Sequence, residues 1–132
     1  MQQELSSDLA EVPAASDELF ATAIVAPEEG EPIATDLAAW ANARERFGTA
    51  LAAHVRAAAC ALALDAVRRA LPHVEAALRL ASEFDMDSMY RGELWLVAHR
   101  AYAASGDDAL ARRVLDEGVG WVRNVAQAHV PP

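Results

Sequence analysis

Lysine is missing from this chain altogether: all 11 basic residues among its 132 are arginine. That pattern fits the coding bias of a GC-rich genome and carries no mechanistic weight. Cysteine is almost as scarce. Cys60 stands alone, which excludes an internal disulfide and fits a reducing compartment. Aromatic residues make up only 6% of the chain and β-branched residues are not enriched, so the composition expected of strands is lacking. The start, Met1-Gln2-Gln3-Glu4, has neither the basic nor the apolar region of a secretory signal. Apolar runs free of charge fall far short of a membrane span. No basic patch suited to neutralising phosphates or meeting anionic lipid is visible. These absences lead to the expectation of a cytoplasmic protein with no membrane and no direct nucleic-acid partner.

What is present is alanine, 32 residues of it, within an apolar content of 54%. Alanine is the strongest helix former, and a chain of this length and apolar content builds one small core without disulfides or metal. The expected fold class is therefore all-α. The net charge of −9 is unevenly spread: residues 1–36 hold nine acids and no arginine, whereas residues 37–132 balance eleven acids against eleven arginines. The acidity is thus expected to belong to a leader, over 1–34, and the folded body to 35–132.

Residues 1–15, polar, acidic and interrupted by Pro13, read as disordered. Ser16 is placed to cap a short helix around 16–26, with a strand over Leu19–Val25 as the alternative. The run Pro27-Glu28-Glu29-Gly30-Glu31-Pro32 reads as a loop and the clearest boundary in the chain. Thr35 or Asp36 would then cap a long helix carrying Leu37, Trp40, Phe47, Leu51, Val55, Ala58 and Leu62 on one stripe, weakened in its middle by Gly48. A third helix follows. It starts either near Asp65, with a kink at Pro72, or near Leu71, with Pro72 in its first turn. Last comes a hairpin over Ser88–His129. Leu94, Trp95, Val97, Ala98, Ala101 and Tyr102 form one apolar stripe, Ser105-Gly106-Asp107-Asp108 a break, and Leu110, Val114, Leu115, Trp121, Val122 and Val125 a second stripe. At an offset of 43 residues, Leu51 pairs with Leu94, Ala58 with Ala101, Asp65 with Asp108 and Arg69 with Arg112, so the hairpin reads as the second copy of a unit over 49–84.

The segment Ala101-Tyr102-Ala103-Ala104-Ser105-Gly106-Asp107-Asp108-Ala109-Leu110 resembles a tetratricopeptide repeat, with Tyr102, Gly106 and Ala109 in the positions of its aromatic, its turn glycine and its second-helix alanine. Together with Tyr90–Leu96 and the closing Ala126–Pro132, it is similar to the C-terminal repeat region of large bacterial transcriptional and signal-transduction regulators. The resemblance covers roughly 49–132. It implies antiparallel helical hairpins stacked as a short tetratricopeptide-like α-solenoid, and a chain that is either a piece of a longer regulator or a stand-alone relative. The first unit departs from the pattern, with Leu62-Ala63-Leu64 where the turn glycine belongs. No DNA-binding or nucleotide-binding element accompanies the repeats, so neither activity carries over.

No constellation of residues points to catalysis. Glu83, Asp85 and Asp87 lack the further ligands and the glycine of a calcium loop. His54, His73, His99 and His129 share no ligand spacing, so no metal is expected. Cys60 lies among alanines without a suitably placed histidine and reads as a small buried hydrophobe. No phosphate-cradling glycine loop occurs, and neither enzyme nor cofactor is expected. The function expected from the repeat resemblance is protein–protein interaction, as a scaffold or adaptor in bacterial regulation, taking a protein or peptide partner. A small-ligand-sensing domain and a self-associating structural subunit, hence a homo-oligomer, are the alternatives. Candidate partner-binding residues are Trp95 and Trp121 as aromatic anchors, with Tyr102, and Arg91 and Arg100 as carboxylate clamps. For the tryptophans, filling the gaps between stacked helices is the competing role. The apolar residues of the leader, Leu19, Phe20 and Ile24, are expected to fold back near the arginine-rich hairpin.

Overall fold

The computed structural model describes residues 26–84 and 91–126. Five helices follow one another: α1 Pro27–Ala43, α2 Phe47–Ala63, α3 Val67–Glu83, α4 Arg91–Ser105 and α5 Asp108–Trp121, the last passing into a π-helical turn over Val122–Ala126. Among the described residues there is no strand. Each helix packs on the next in sequence, and α2 also reaches α4.

The central helix is α2. Leu51, Val55, Cys60 and six alanines are buried around nearly its whole circumference, the mark of a helix enclosed on several sides. It is wrapped by α1, α3 and α4. Leu51, Val55, Val74 and Leu94, contributed by three helices, lie in one continuous core. Phe47 and Phe84 stack at 4.1 Å and tie the start of α2 to the end of α3. The half-buried pair Arg56–Glu93, at 3.2 Å, links α2 to α4.

Several expectations are corrected. The run Pro27–Pro32 is not a loop but the opening of α1. Pro27 takes a first-turn position, where its missing N–H costs nothing. Glu28 and Glu29 sit beside it, where the helix dipole favours acids. Pro32 lies inside the helix. Gly30 is buried along with Ala34, Ala38 and Ala41, so this stretch packs as part of the body and the expected boundary at 34 falls within a helix. Four of the nine acids counted with the leader therefore belong to α1.

The long helix expected over 35–62 is two helices. The chain reverses at Arg44-Glu45-Arg46, with Glu45 in the left-handed region at φ 55°, and Gly48 stands in the first turn of α2 instead of mid-helix. Thr35 and Asp36, expected as caps, lie inside α1. The third helix starts at Val67 and carries Pro72 within it.

The turns after α1, α2 and α4 share one construction. A left-handed residue (Glu45, Asp65 or Gly106) is followed by a backbone N–H that bonds five residues back: Arg46 to Ala41, Ala66 to Ala61, Asp107 to Tyr102. This pattern closes a helix C-terminus by satisfying its otherwise unpaired carbonyls. Asp65 and Gly106 are the matching residues and lie 41 apart, so the structural register differs from the 43-residue offset of the sequence. The glycine expected after α2 is replaced by Asp65 in the same conformation. The hairpin α4–α5 is as expected, and Asp107 caps α5 by accepting from the Leu110 N–H at 3.1 Å.

Candidate interaction surface

On α4, Leu94, Val97, Ala98, Ala101 and Tyr102 face the core. On α5, Ala111 and Val114 do so. The His99 ring joins the two helices, its Nδ1–H donating to the Ala111 carbonyl at 2.9 Å. This arrangement uses only one side of α5. A second apolar stripe, Leu115, Val119 and Val122, lies beside it and stays open, at 41%, 41% and 45% exposure, and is joined across the seam by Leu96 at 48%. Only six large hydrophobics are exposed among the described residues, and these are four of them.

They border a groove of about 340 Å³ whose floor is Trp95 and the backbone of Gly92 and Gly118, with Arg123 the charged residue on its wall. The Trp95 ring packs on Trp121 at 5.5 Å between centroids, tilted by 47°. A Cβ on Gly118 would stand 2.9 Å from the Trp95 Cβ, so this glycine permits the close approach of α5 to α4. Nothing lies near the corresponding position of Gly120.

The residues expected to bind a partner are therefore distributed unequally. Trp95 lines the groove and Trp121 supports it from the side. Arg100 is exposed on α4 but does not line the groove. Tyr102 is buried in the core, and burial, with Glu75 and Asp107 nearby, pushes its hydroxyl pKa up, so it is a packing residue. The side chain of Arg91 lies outside the described residues, as do the leader helix around 16–26, the Asp85–Ser88 connector and His129. The sequence places Leu115 and Val122 on the apolar stripe of the second helix and Arg123 among the arginines beside the hairpin, but singles out neither Leu96 nor Val119. The available signal was the width of the apolar arc on α5, broader than a single partner helix covers.

A second constellation lies between α1, α2 and α3. His54 and His73, expected to be unrelated, meet with Nδ1 against Nδ1 at 2.9 Å. Asn42 Nδ2 lies 3.3 Å from His54 Nε2, and Thr35 Oγ1 lies 3.4 Å from His73 Nε2. The Thr35 hydroxyl gives its one proton to the Glu31 carbonyl at 2.9 Å. Its oxygen is then free only to accept. The network assigns the rest: His73 donates from Nε2 to Thr35, its bare Nδ1 accepts from His54 Nδ1–H, and His54 Nε2 accepts from Asn42. Each hydrogen-bonding atom of both neutral rings is satisfied. Burial is the main cause that pushes the His54 pKa down to about 4 and lowers that of His73.

Beside this relay, Arg69 on α3 holds the Glu31 carboxylate on α1 through two bonds of 2.8 and 2.9 Å, which keeps that carboxyl below its usual range. Cys60 is buried, and burial raises its thiol pKa, consistent with packing and not reactivity. Among the described residues no group of three His, Cys, Asp or Glu stands together as a metal site, and no helix is long and apolar enough to cross a membrane.

Comparisons with protein-family models, curated proteins and solved structures return no match to this chain. The geometry of the molecule is what bears on its function.

Proposed function

We propose that the chain is a non-enzymatic helical interaction module that takes a protein or peptide segment into the α4–α5 groove. The observation that carries this reading is the grouping of Leu96, Leu115, Val119 and Val122, each more than 40% exposed, around a single groove of about 340 Å³. Scattered exposed hydrophobics are ordinary, but a contiguous apolar patch with a polar rim marks a surface meant to be covered. Trp95 supplies a rigid aromatic floor of the kind that dominates binding energy, and Arg123 supplies a cation for a carboxylate on the incoming segment.

The repeated turn at Glu45, Asp65 and Gly106 supports reading the helices as stacked repeat units. The 41-residue spacing of the last two is longer than the roughly 34 residues of a tetratricopeptide repeat and falls within the roughly 40–47 of other two-helix solenoids. A place in bacterial regulation rests on the resemblance of the C-terminal segment alone and is the outermost part of the proposal.

A photo-crosslinking amino acid at Leu115, with the same group at the similarly exposed Ile33 on α1 as the reference, tests the reading in native lysate. A discrete adduct at 115 that is absent at 33 is expected. Equal labelling at both positions would count against a dedicated surface. A small ligand is the second reading, favoured by a groove volume at the low end of the roughly 300–1,000 Å³ range of ligand pockets. A rise in Tm in a metabolite screen, lost in Leu115→Glu, would select it.

A further inference from the structure

We infer that the His54–His73 pair is a proton-operated joint that clamps α1 onto α2 and α3 at neutral pH and releases it in mild acid. The argument begins with the direction of the hydrogen bonds. Thr35 spends its proton on the Glu31 carbonyl, which makes the relay run one way, from Asn42 through His54 and His73 to Thr35. All three helices take part: Thr35 and Asn42 come from α1, His54 from α2 and His73 from α3.

The pair tolerates one added proton. A second hydrogen on His73 at Nδ1 requires His54 to switch tautomer, and the Asn42 amide can turn over to accept from His54 Nε2. A second added proton has no acceptor. Two Nδ1–H groups would then point at each other across 2.9 Å, and the rings must separate. Separation opens the α2–α3 contact and draws the rings from the positions in which Asn42 and Thr35 of α1 meet them, leaving the Glu31–Arg69 bridge as the polar link of α1 to α3.

The charges around the rings act in opposite senses. Arg79 on α3 disfavours a cation at His54, and Glu31 on α1 favours one at His73. Glu31 is itself occupied by Arg69. The first proton thus belongs to His73 and the opening proton to His54. The residues α1 buries completely are small (Gly30, Ala34, Ala38 and Ala41), with Leu37 and Trp40 half-buried beside them, so the polar links are a larger share of its attachment than they would be for a fully leucine-packed helix.

The direction with pH follows from linkage. The closed joint needs His54 neutral, and the released ring binds its proton with ordinary affinity, so acid favours release. The effect begins as pH falls through about 6.5 and is complete near 4, the limits for His54. At pH 5 the released fraction of α1 is expected to be roughly thirtyfold that at pH 8, counting His54 alone.

Amide hydrogen exchange on the full chain, corrected for intrinsic rates, tests this. From pH 8 to pH 5, α1 amides should lose about thirtyfold in protection relative to α5. The variant carrying His54→Gln and His73→Gln, which keeps hydrogen-bonding groups without titrating, should lose that difference. Nitrogen-15 imidazole spectra of the unmodified chain provide a measurement that does not depend on the variant folding. They should show a proton on Nδ1 only for His54 and on Nε2 only for His73 at pH 7, with His54 uncharged at pH 6. Parallel loss of protection in α1 and α5, a charged His54 at pH 6, or undiminished acid sensitivity in the folded variant would overturn the inference.

Discussion

On α1 the buried residues are Gly30, Ala34, Ala38 and Ala41, whereas on α4 they are Leu94, Val97, Ala98, Ala101 and Tyr102. Both faces are fully enclosed, yet they are built differently. Small residues let α1 lie close on α2, each methyl contributing on the order of 0.8 kcal/mol, and the polar groups Glu31, Thr35 and Asn42 add directional links to neighbouring helices. The α4–α5 hairpin holds itself together with large side chains, and α5 carries more apolar surface than α4 covers. The surplus is the groove. One end of the molecule is thus closed by hydrogen bonds over an alanine seam, and the other is left open over an aliphatic one. A closed seam serves the fold, and an open apolar face serves something that comes to it.

The largest test of this contrast compares two leucines. Leu51 is fully buried on α2 and Leu115 is 41% exposed on α5. Leu51→Ala should lower unfolding free energy by about 3 kcal/mol, while Leu115→Ala should stay within about 0.5 kcal/mol. Denaturant unfolding of the two variants checks both. Similar losses would mean that Leu115 belongs to the core after all.

Next come the glycines of α5. Gly118→Ala places a Cβ 2.9 Å from that of Trp95 and should cost about 1–2 kcal/mol by forcing the helices apart. Gly120 has open space at that position, so Gly120→Ala should stabilise by up to about 1 kcal/mol through helix propensity. Thermal unfolding reads the opposite signs.

Smaller still are the turns. Asp107 caps α5 with its side chain, whereas Ala66, in the equivalent place before α3, has no side chain to do so. Asp107→Ala should cost about 1 kcal/mol, and Ala66→Asp should recover a similar amount for α3. Glu45→Gly, which relieves a left-handed φ of 55°, should stabilise by less than about 1 kcal/mol.

The all-helical class was legible in the alanine content, and the α4–α5 hairpin in Ser105-Gly106-Asp107-Asp108, because there the turn chemistry and the apolar periodicity agree. The α1–α2 reversal was hidden because Arg44-Glu45-Arg46 makes the same turn without glycine or proline, and the stripe from Trp40 to Phe47 to Leu51 runs on in phase across it. Pro27 and Gly30 misled in the other direction. Both are breakers in general, but a proline costs nothing in a helix's first turn, and a small residue is what a close helix contact requires. The groove was half legible. Trp95 was identified, but Leu115 and Val122 were placed on one stripe with the buried Val114, because periodicity shows that a face is apolar and not whether anything covers it. The His54–His73 pair, 19 residues apart on different helices, has no local signature at all. Only the packing of α2 against α3 brings the rings together.

The claim that the open face serves binding and not folding is tested most directly by carrying Leu115→Glu and Val119→Glu in one chain and measuring two quantities. The account predicts a Tm within a few degrees of the unmodified protein, as for exposed substitutions, together with loss of the adduct captured by a photo-crosslinker at Val122. A large fall in Tm would show that the face belongs to the fold, and an undiminished adduct would show that the partner binds elsewhere. Either result would contradict the account.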